Sequence, residues 1–331
     1  MKKILLSIVF VLSALGLQAQ NRKHIASFSL FQQYFNPALT GFEGSILKTY
    51  YRNQWTGYED APRTVFASAE LDLADVKAWR NNNVLKTTAG DTYDRQTGAS
   101  NAFGFSLLSD RFGPFSETQL HLSYGTRVRL SDRLSLRWGA AATLDLNRLN
   151  GNKLTVDQEG DPMYQDYLGA STRASRADIN LGLMLTAEDY YLGYAMQDVT
   201  KGRLLYAGDD YLRNTHAHQH VVQAGYRTAL SEQFGLIANG IYRYDEFLKE
   251  TVEGQLKAVF SNTFWAGAGY RHGLAYSLQA GVRLHQLKIG YVYESPAGDA
   301  SDIGRGTNEI MLTYNLIPVK YPKYSRSVTM W

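Results

Sequence analysis

The feature that most constrains this chain is a period-two alternation of apolar and polar side chains, repeated along most of its length. In 119–130 the even positions are Leu120, Leu122, Tyr124, Thr126, Val128 and Leu130, set against Gln119, His121, Ser123, Gly125, Arg127 and Arg129. Leu134, Leu136, Trp138, Ala140, Ala142, Leu144 and Leu146 repeat the pattern, as do Tyr276, Leu278, Ala280, Val282 and Leu284. Successive side chains of a strand point to opposite faces, so each segment has one apolar and one polar face. Beyond the amino terminus no window offers the run of about 18 apolar residues that a membrane-crossing helix needs.

Met1, Lys2 and Lys3 precede an apolar run from Ile4 to Leu17, followed by Ala19 and Gln20, the layout of a cleavable export signal. Cleavage after Ala19 lowers the net charge from +3 to +1, because two lysines leave and no acid does. So small a charge gives no reason to expect nucleic acid as a partner. With Cys 0 the chain carries no disulfide and no lipid-bearing cysteine.

The alternation places strands near 45–54, 63–73, 101–111, 115–130, 134–147, 176–187, 189–198, 217–230, 233–245, 248–261, 263–272, 274–285, 286–295 and 305–316. These fourteen segments predict an all-β chain forming a transmembrane antiparallel β-barrel with short periplasmic turns and longer extracellular loops. Turns at Ser131-Asp132-Arg133, Ala187-Glu188-Asp189, Ser231-Glu232 and Ser261-Asn262 fall on one side, and long loops 148–175, 199–216 and 296–304 on the other. Connection 74–100 breaks the rule. It reads either as a periplasmic cap, with a short helix over Ala74 to Arg80, or as an unrecognised hairpin that raises the count to sixteen. A soluble β-sandwich would bury the same apolar face. The 23 tyrosines, 14 phenylalanines and 5 tryptophans instead suit aromatic belts at two membrane interfaces. The expected organisation is a signal peptide at 1–19, an amino-terminal periplasmic or plug segment at 20–44, the barrel at 45–316 and a tail at 317–331.

One stretch stands apart from the alternation. Tyr34-Phe35-Asn36-Pro37-Ala38-Leu39-Thr40-Gly41 reads as a specified turn, since Asn-Pro favours turning and Gly41 tolerates a positive φ. Tyr51-Arg52-Asn53-Gln54-Trp55-Thr56-Gly57-Tyr58 and Ala61-Pro62-Arg63-Thr64 follow, then Gly104 with Asp110-Arg111-Phe112-Gly113-Pro114. This series resembles the amino-terminal signature of the PorP/SprF family, outer-membrane proteins of the type IX secretion and gliding machinery. The matched motifs cover about the first third of the chain. The resemblance implies an outer-membrane location and partners among type IX secretion components or secreted, adhesin-like surface proteins, whose carboxy-terminal domain such barrels receive. The residues it marks for partner binding or structure are Asn36, Pro37, Gly41, Arg52, Gln54, Trp55, Gly57, Tyr58 and Pro62.

Other constellations point to less. His216, His218 and His220 share one strand face and could approach a metal, yet no acidic or cysteine ligand stands at matching spacing. Gly267-Ala268-Gly269 sits mid-strand with no helix after it to receive phosphate. No Gly-x-Ser-x-Gly element is present, so neither catalysis nor a cofactor or metal is expected. Parity turns Arg127, Arg129, Arg137, Asp145, Arg227, Arg243, Glu253, Lys257, Arg271, Arg283, Lys288, Glu294 and Glu309 inward as a mixed-sign ladder. Phe28, Phe31, Tyr34 and Phe35 have near-helical spacing and read either as a plug at the periplasmic mouth or as an ordered tail. Two functions follow: a lipid-embedded barrel that secretes or retains proteins by protein–protein contact, and an outer-membrane channel for small solutes, which the polar inner face alone permits.

Overall fold

The computed structural model describes residues 24–80, 98–154, 171–208, 217–245, 249–317, 328 and 330. Among the described residues fifteen strands run in chain order: β1 Ile46–Asn53, β2 Arg63–Asp72, β3 Asn101–Phe112, β4 Phe115–Arg129, β5 Leu134–Asn150, β6 Ser171–Ala187, β7 Tyr190–Gln197 and β8 Leu205–Gly208. β9 Gln219–Ala229, β10 Phe234–Asp245, β11 Lys249–Phe260, β12 Phe264–Arg271, β13 Ala275–Leu284, β14 Leu287–Pro296 and β15 Thr307–Asn315 complete the set. Each pairs antiparallel with its neighbours, and β1 pairs with β15, so the sheet closes on itself without an edge. Closure satisfies every backbone ladder internally, which is what a lipid environment demands of a sheet. Fourteen strands form the wall. β8 is extra: among the described residues it pairs only with Ala174–Ala177 of β6, continuing the line of β7 after an irregular loop at 198–204.

The wall is inside-out relative to a soluble sandwich. Leu122 and Leu278 are 63% and 65% exposed on the outer face, while Arg137, Glu253, Lys257 and Glu309 are buried inside. Parity therefore places the charged ladder inward, except that Arg129, the last residue of β4, has left the lumen. Its side chain is 43% exposed and bonds Asp132 in the adjoining turn at 3.2 Å.

Short turns at 130–133, 188–189, 230–233, 261–263 and 285–286 share one end, hereafter the turn end. Connections 54–62, 151–170, 198–218 and 297–306 share the other, the loop end, together with tight turns such as Gly113-Pro114. The β2–β3 connection opens with α1, Leu73–Arg80, as its sequence predicts, and the wall closes without a further hairpin there. Two expected loops shrink. β5 runs on to Asn150 and β6 starts at Ser171, because above the lipid the hairpin is polar on both faces and alternation no longer marks it. Loop 199–216 contains β8. Residues 1–23, which carry the expected export signal, lie outside the described residues.

Candidate functional site

The lumen is filled by the chain's own residues 25–42. They run as three short helical turns, Phe28–Leu30, Gln32–Phe35 and Pro37–Leu39. Phe28, Phe31 and Phe35 are buried against inward-facing Tyr50, Phe66, Leu108, Val221, Ile241, Val292 and Met311. Phe31 meets Tyr50 and Phe66 edge-on, with centroids 4.9 and 5.4 Å apart. Each buried phenylalanine contributes about 1.5–3 kcal/mol. The segment is thus a packed core within the barrel, deeper than a cap at the mouth.

The Asn-Pro turn explains how backbone comes so close to the wall. The Asn36 side chain accepts from the Ala38 N–H at 3.0 Å and so fixes the turn locally. Behind it, Ala102, Gly125, Gly139, Gly182 and Ala195 are paired partner to partner across β3 to β7, and all five are buried. This row of small residues forms a trough. A Cβ on Gly139 would lie 2.3 Å from the Pro37 carbonyl oxygen, and one on Gly182 would lie 1.9 Å from Asn36 Oδ1. Gly41 adopts φ +72°, where a Cβ would collide with Ala102.

Polar anchors hold the segment along its length. Arg137, fully buried on β5, donates Nε to the Ala38 carbonyl at 2.9 Å, Nη2 to that of Thr40 at 2.9 Å and Nη1 to that of Ala99 at 3.0 Å. Glu70 accepts from the Gly41 N–H at 2.7 Å, and Gln197 donates to the carbonyls of Tyr34 and Phe35. Toward the turn end, Glu43 lies 3.0 Å from Lys48 and 2.6 Å from Lys288. Burial alone would raise the Glu43 carboxyl, but the Lys288 and Lys48 ammonium groups outweigh it and hold it well below the usual carboxylate range.

Toward the loop end, Glu309 accepts from the Ala26 and Ser27 N–H groups at 3.1 and 3.2 Å and from the Ser27 hydroxyl. Arg52 holds Glu309 at 3.3 Å and Glu294 at 2.9 Å, and Arg271 pairs with both Glu294 and Glu253. His24 sits among these groups, its Nε2 3.3 Å from Glu253. Burial first, and then the guanidiniums of Arg271, Arg243 and Arg52, lower its pKa well below 6.5 despite the carboxylates nearby. Arg243 stands 3.1 Å from Nδ1, and a guanidinium can only donate, so the imidazole is neutral with Nδ1 accepting.

The signature residues therefore separate into two groups. Asn36, Pro37 and Gly41 lie inside the lumen rather than at its entrance, and Arg52 is tied to the same segment through Glu309. Gln54, Trp55, Gly57, Tyr58 and Pro62 form the β1–β2 connection at the loop end. The Gln54 N–H bonds the buried Pro62 carbonyl, and Trp55 packs edge-on against Phe112. Tyr58, 50% exposed, donates to the Ile303 carbonyl at 2.9 Å under the Arg305 guanidinium. The Thr56 N–H bonds the Gly306 carbonyl, so the β1–β2 and β14–β15 connections form one platform.

Sequence reasoning missed the anchoring roles of Glu70, Gln197 and Glu309 and the small-residue trough. Glycines recurring at inward positions of consecutive strands, Gly125, Gly139 and Gly182, were the available signal. His216 lies outside the described residues. His218 and His220 bond the Asp198 carbonyl and the Tyr194 hydroxyl, and no metal-holding group occurs among the described residues.

A closed fourteen-strand wall with an apolar exterior and a self-filled lumen defines a plugged membrane β-barrel. The model of the family described as type IX secretion system membrane protein PorP/SprF matches residues 17–314. The chain belongs to the PorP/SprF family, outer-membrane barrels of type IX secretion. No curated protein matches it. Among solved structures it is similar to the CymD monoaromatic hydrocarbon channel, at 13% identity and TM-score 0.49 over 88% of this chain and 95% of that one. It is also similar to the Pseudomonas putida toluene transporter TodX, at 11% identity and TM-score 0.44 over 88% and 94%. Omp33 of Acinetobacter baumannii is a third, at 8% identity and TM-score 0.43 over 83% and 100%.

Proposed function

We propose that this barrel works in type IX secretion as an interaction protein, holding a secreted, adhesin-like protein or a secretion component at the outer membrane. The observation that carries this reading is the filled lumen: residues 25–42 are packed and anchored from both ends, which leaves little for a solute channel to use. In this reading a leader at 1–19 is removed, 20–44 is the plug, 45–316 the wall and 317–331 a tail. The turn end faces the periplasm, following the usual rule for bacterial barrels. The platform around Trp55 and Tyr58 is the surface offered to the secreted partner, since exposed aromatic anchors dominate such contacts. The test is to replace Trp55 and Tyr58 by Ala and measure both barrel abundance in the outer membrane and retention of surface protein. Lost retention at normal abundance supports the reading. Retention unchanged, or lost only in step with the barrel, overturns the platform's role.

A further inference from the structure

Two residues far along the chain return into the barrel at the turn end. Val328 and Met330 are buried beside plug residues Ala38, Leu39 and Phe42 and wall residues Val259 and Trp265. The wall is shaped for them. A Cβ on Gly235, at the start of β10, would lie 2.2 Å from Val328 Cγ2 and 3.5 Å from Val328 Cβ. Val328 and Met330 stand two residues apart, the spacing at which an extended peptide presents side chains to one side. Twelve residues of chain, 316–327, separate Asn315, the end of β15, from Val328, enough to reach about 40 Å if fully extended. A connection of that length is long enough for the pair to leave its seat while β15 stays paired with β1 and β14.

We infer that this hollow is a peptide-docking seat, occupied at rest by the chain's own Val328 and Met330. The partner it fits is an extended segment of a second polypeptide with apolar side chains at positions i and i+2, arriving at the turn end. The resident pair belongs to the same buried apolar cluster as Ala38, Leu39 and Phe42, which lie in and just after the turn that Arg137 holds. This rests on the interaction reading above, but its test needs no secretion.

The natural chain has no cysteine, so Gly235→Cys with Val328→Cys gives one unique pair, at a Cβ separation within the disulfide range. Oxidation of the full-length, folded double variant should cross-link it nearly completely. A fluorescent peptide of residues 322–331 is then titrated against three full-length proteins. Val328→Asp with Met330→Asp, which expels the resident pair, should bind it at least tenfold more tightly than wild type. The oxidised cross-linked protein should not bind. Adding Gly235→Leu to the Asp variant, with heat-resistant barrel migration as the folding check, should abolish binding. Failure to cross-link, binding equal in all proteins, or no binding to a folded Asp variant would each overturn the proposal. Unchanged retention in cells carrying the Trp55→Ala and Tyr58→Ala protein, with peptide binding intact, would instead count against the surface-platform reading alone.

Discussion

Arg137 Nη2 donates to the Thr40 carbonyl at 2.9 Å, joining the fifth wall strand to the turn that begins at Asn36-Pro37. The same guanidinium serves Ala38 and Ala99, so one side chain ties both the plug turn and the end of the β2–β3 connection to the wall. Lysine, with a compact ammonium, cannot span three carbonyls in this way.

Arg137→Ala leaves three buried carbonyls without their donor, at about 1–3 kcal/mol each. Arg137→Lys should recover only part of that loss. Chymotrypsin digestion of the folded protein reads the effect: Phe28, Phe31 and Phe35 are protected in the wild type and should become cleavable in Arg137→Ala. Unchanged protection would show that the anchor is dispensable.

The small-residue trough makes a contrast between glycines. Gly139→Val and Gly182→Val should drive the Asn-Pro turn off the wall, since even a Cβ at either position meets plug atoms within 2.3 Å. Gly254→Ala, in β11, meets nothing within 4 Å and should be neutral. Chymotrypsin protection and the denaturant midpoint, measured together, should fall for the first two and hold for the third.

On the outer face, Leu122→Arg or Leu278→Arg should cost about 2–4 kcal/mol near the bilayer midplane. From alternation alone, arginine at inward Ser123 or Gln279 should be tolerated, as in a water-filled lumen. The structure reverses that expectation. Ser123 bonds Thr40 at 2.9 Å and Gln279 is buried, so arginine there should also destabilise, through crowding. Refolding into lipid vesicles measures all four.

Much of the wall was legible because lipid imposes strict alternation, from Leu120 to Val128 and from Tyr276 to Leu284. The contents of the lumen were not. Tyr50 beside Tyr51 and Val221 beside Val222 put apolar residues on both faces, a sign of a dry interior that period-two reasoning passes over. Arg52's proximity to the plug was equally hidden, since it acts through Glu309, 257 positions away. The Asn-Pro turn was readable as a turn, but its place deep in the barrel depends on the glycines of β4, β5 and β6.

The loop-end anchor should respond to pH. His24 is neutral when folded, with its pKa depressed below 6.5, so the unfolded chain binds the extra proton first. Stability is therefore lost as pH falls below 6.5. His24→Gln should remove that dependence. Glu43 behaves differently: its depressed pKa keeps it ionised throughout this window, so the turn-end anchor stays intact. Denaturant midpoints between pH 7.5 and 5.5 test this, and equal slopes for wild type and His24→Gln would contradict it.

Single-molecule conductance in planar bilayers tests the closed lumen most directly. The intact protein should pass little or no current, and deletion of residues 24–42 should open a steady conductance in the same wall. A large open conductance in the intact protein would contradict the account and favour a solute channel.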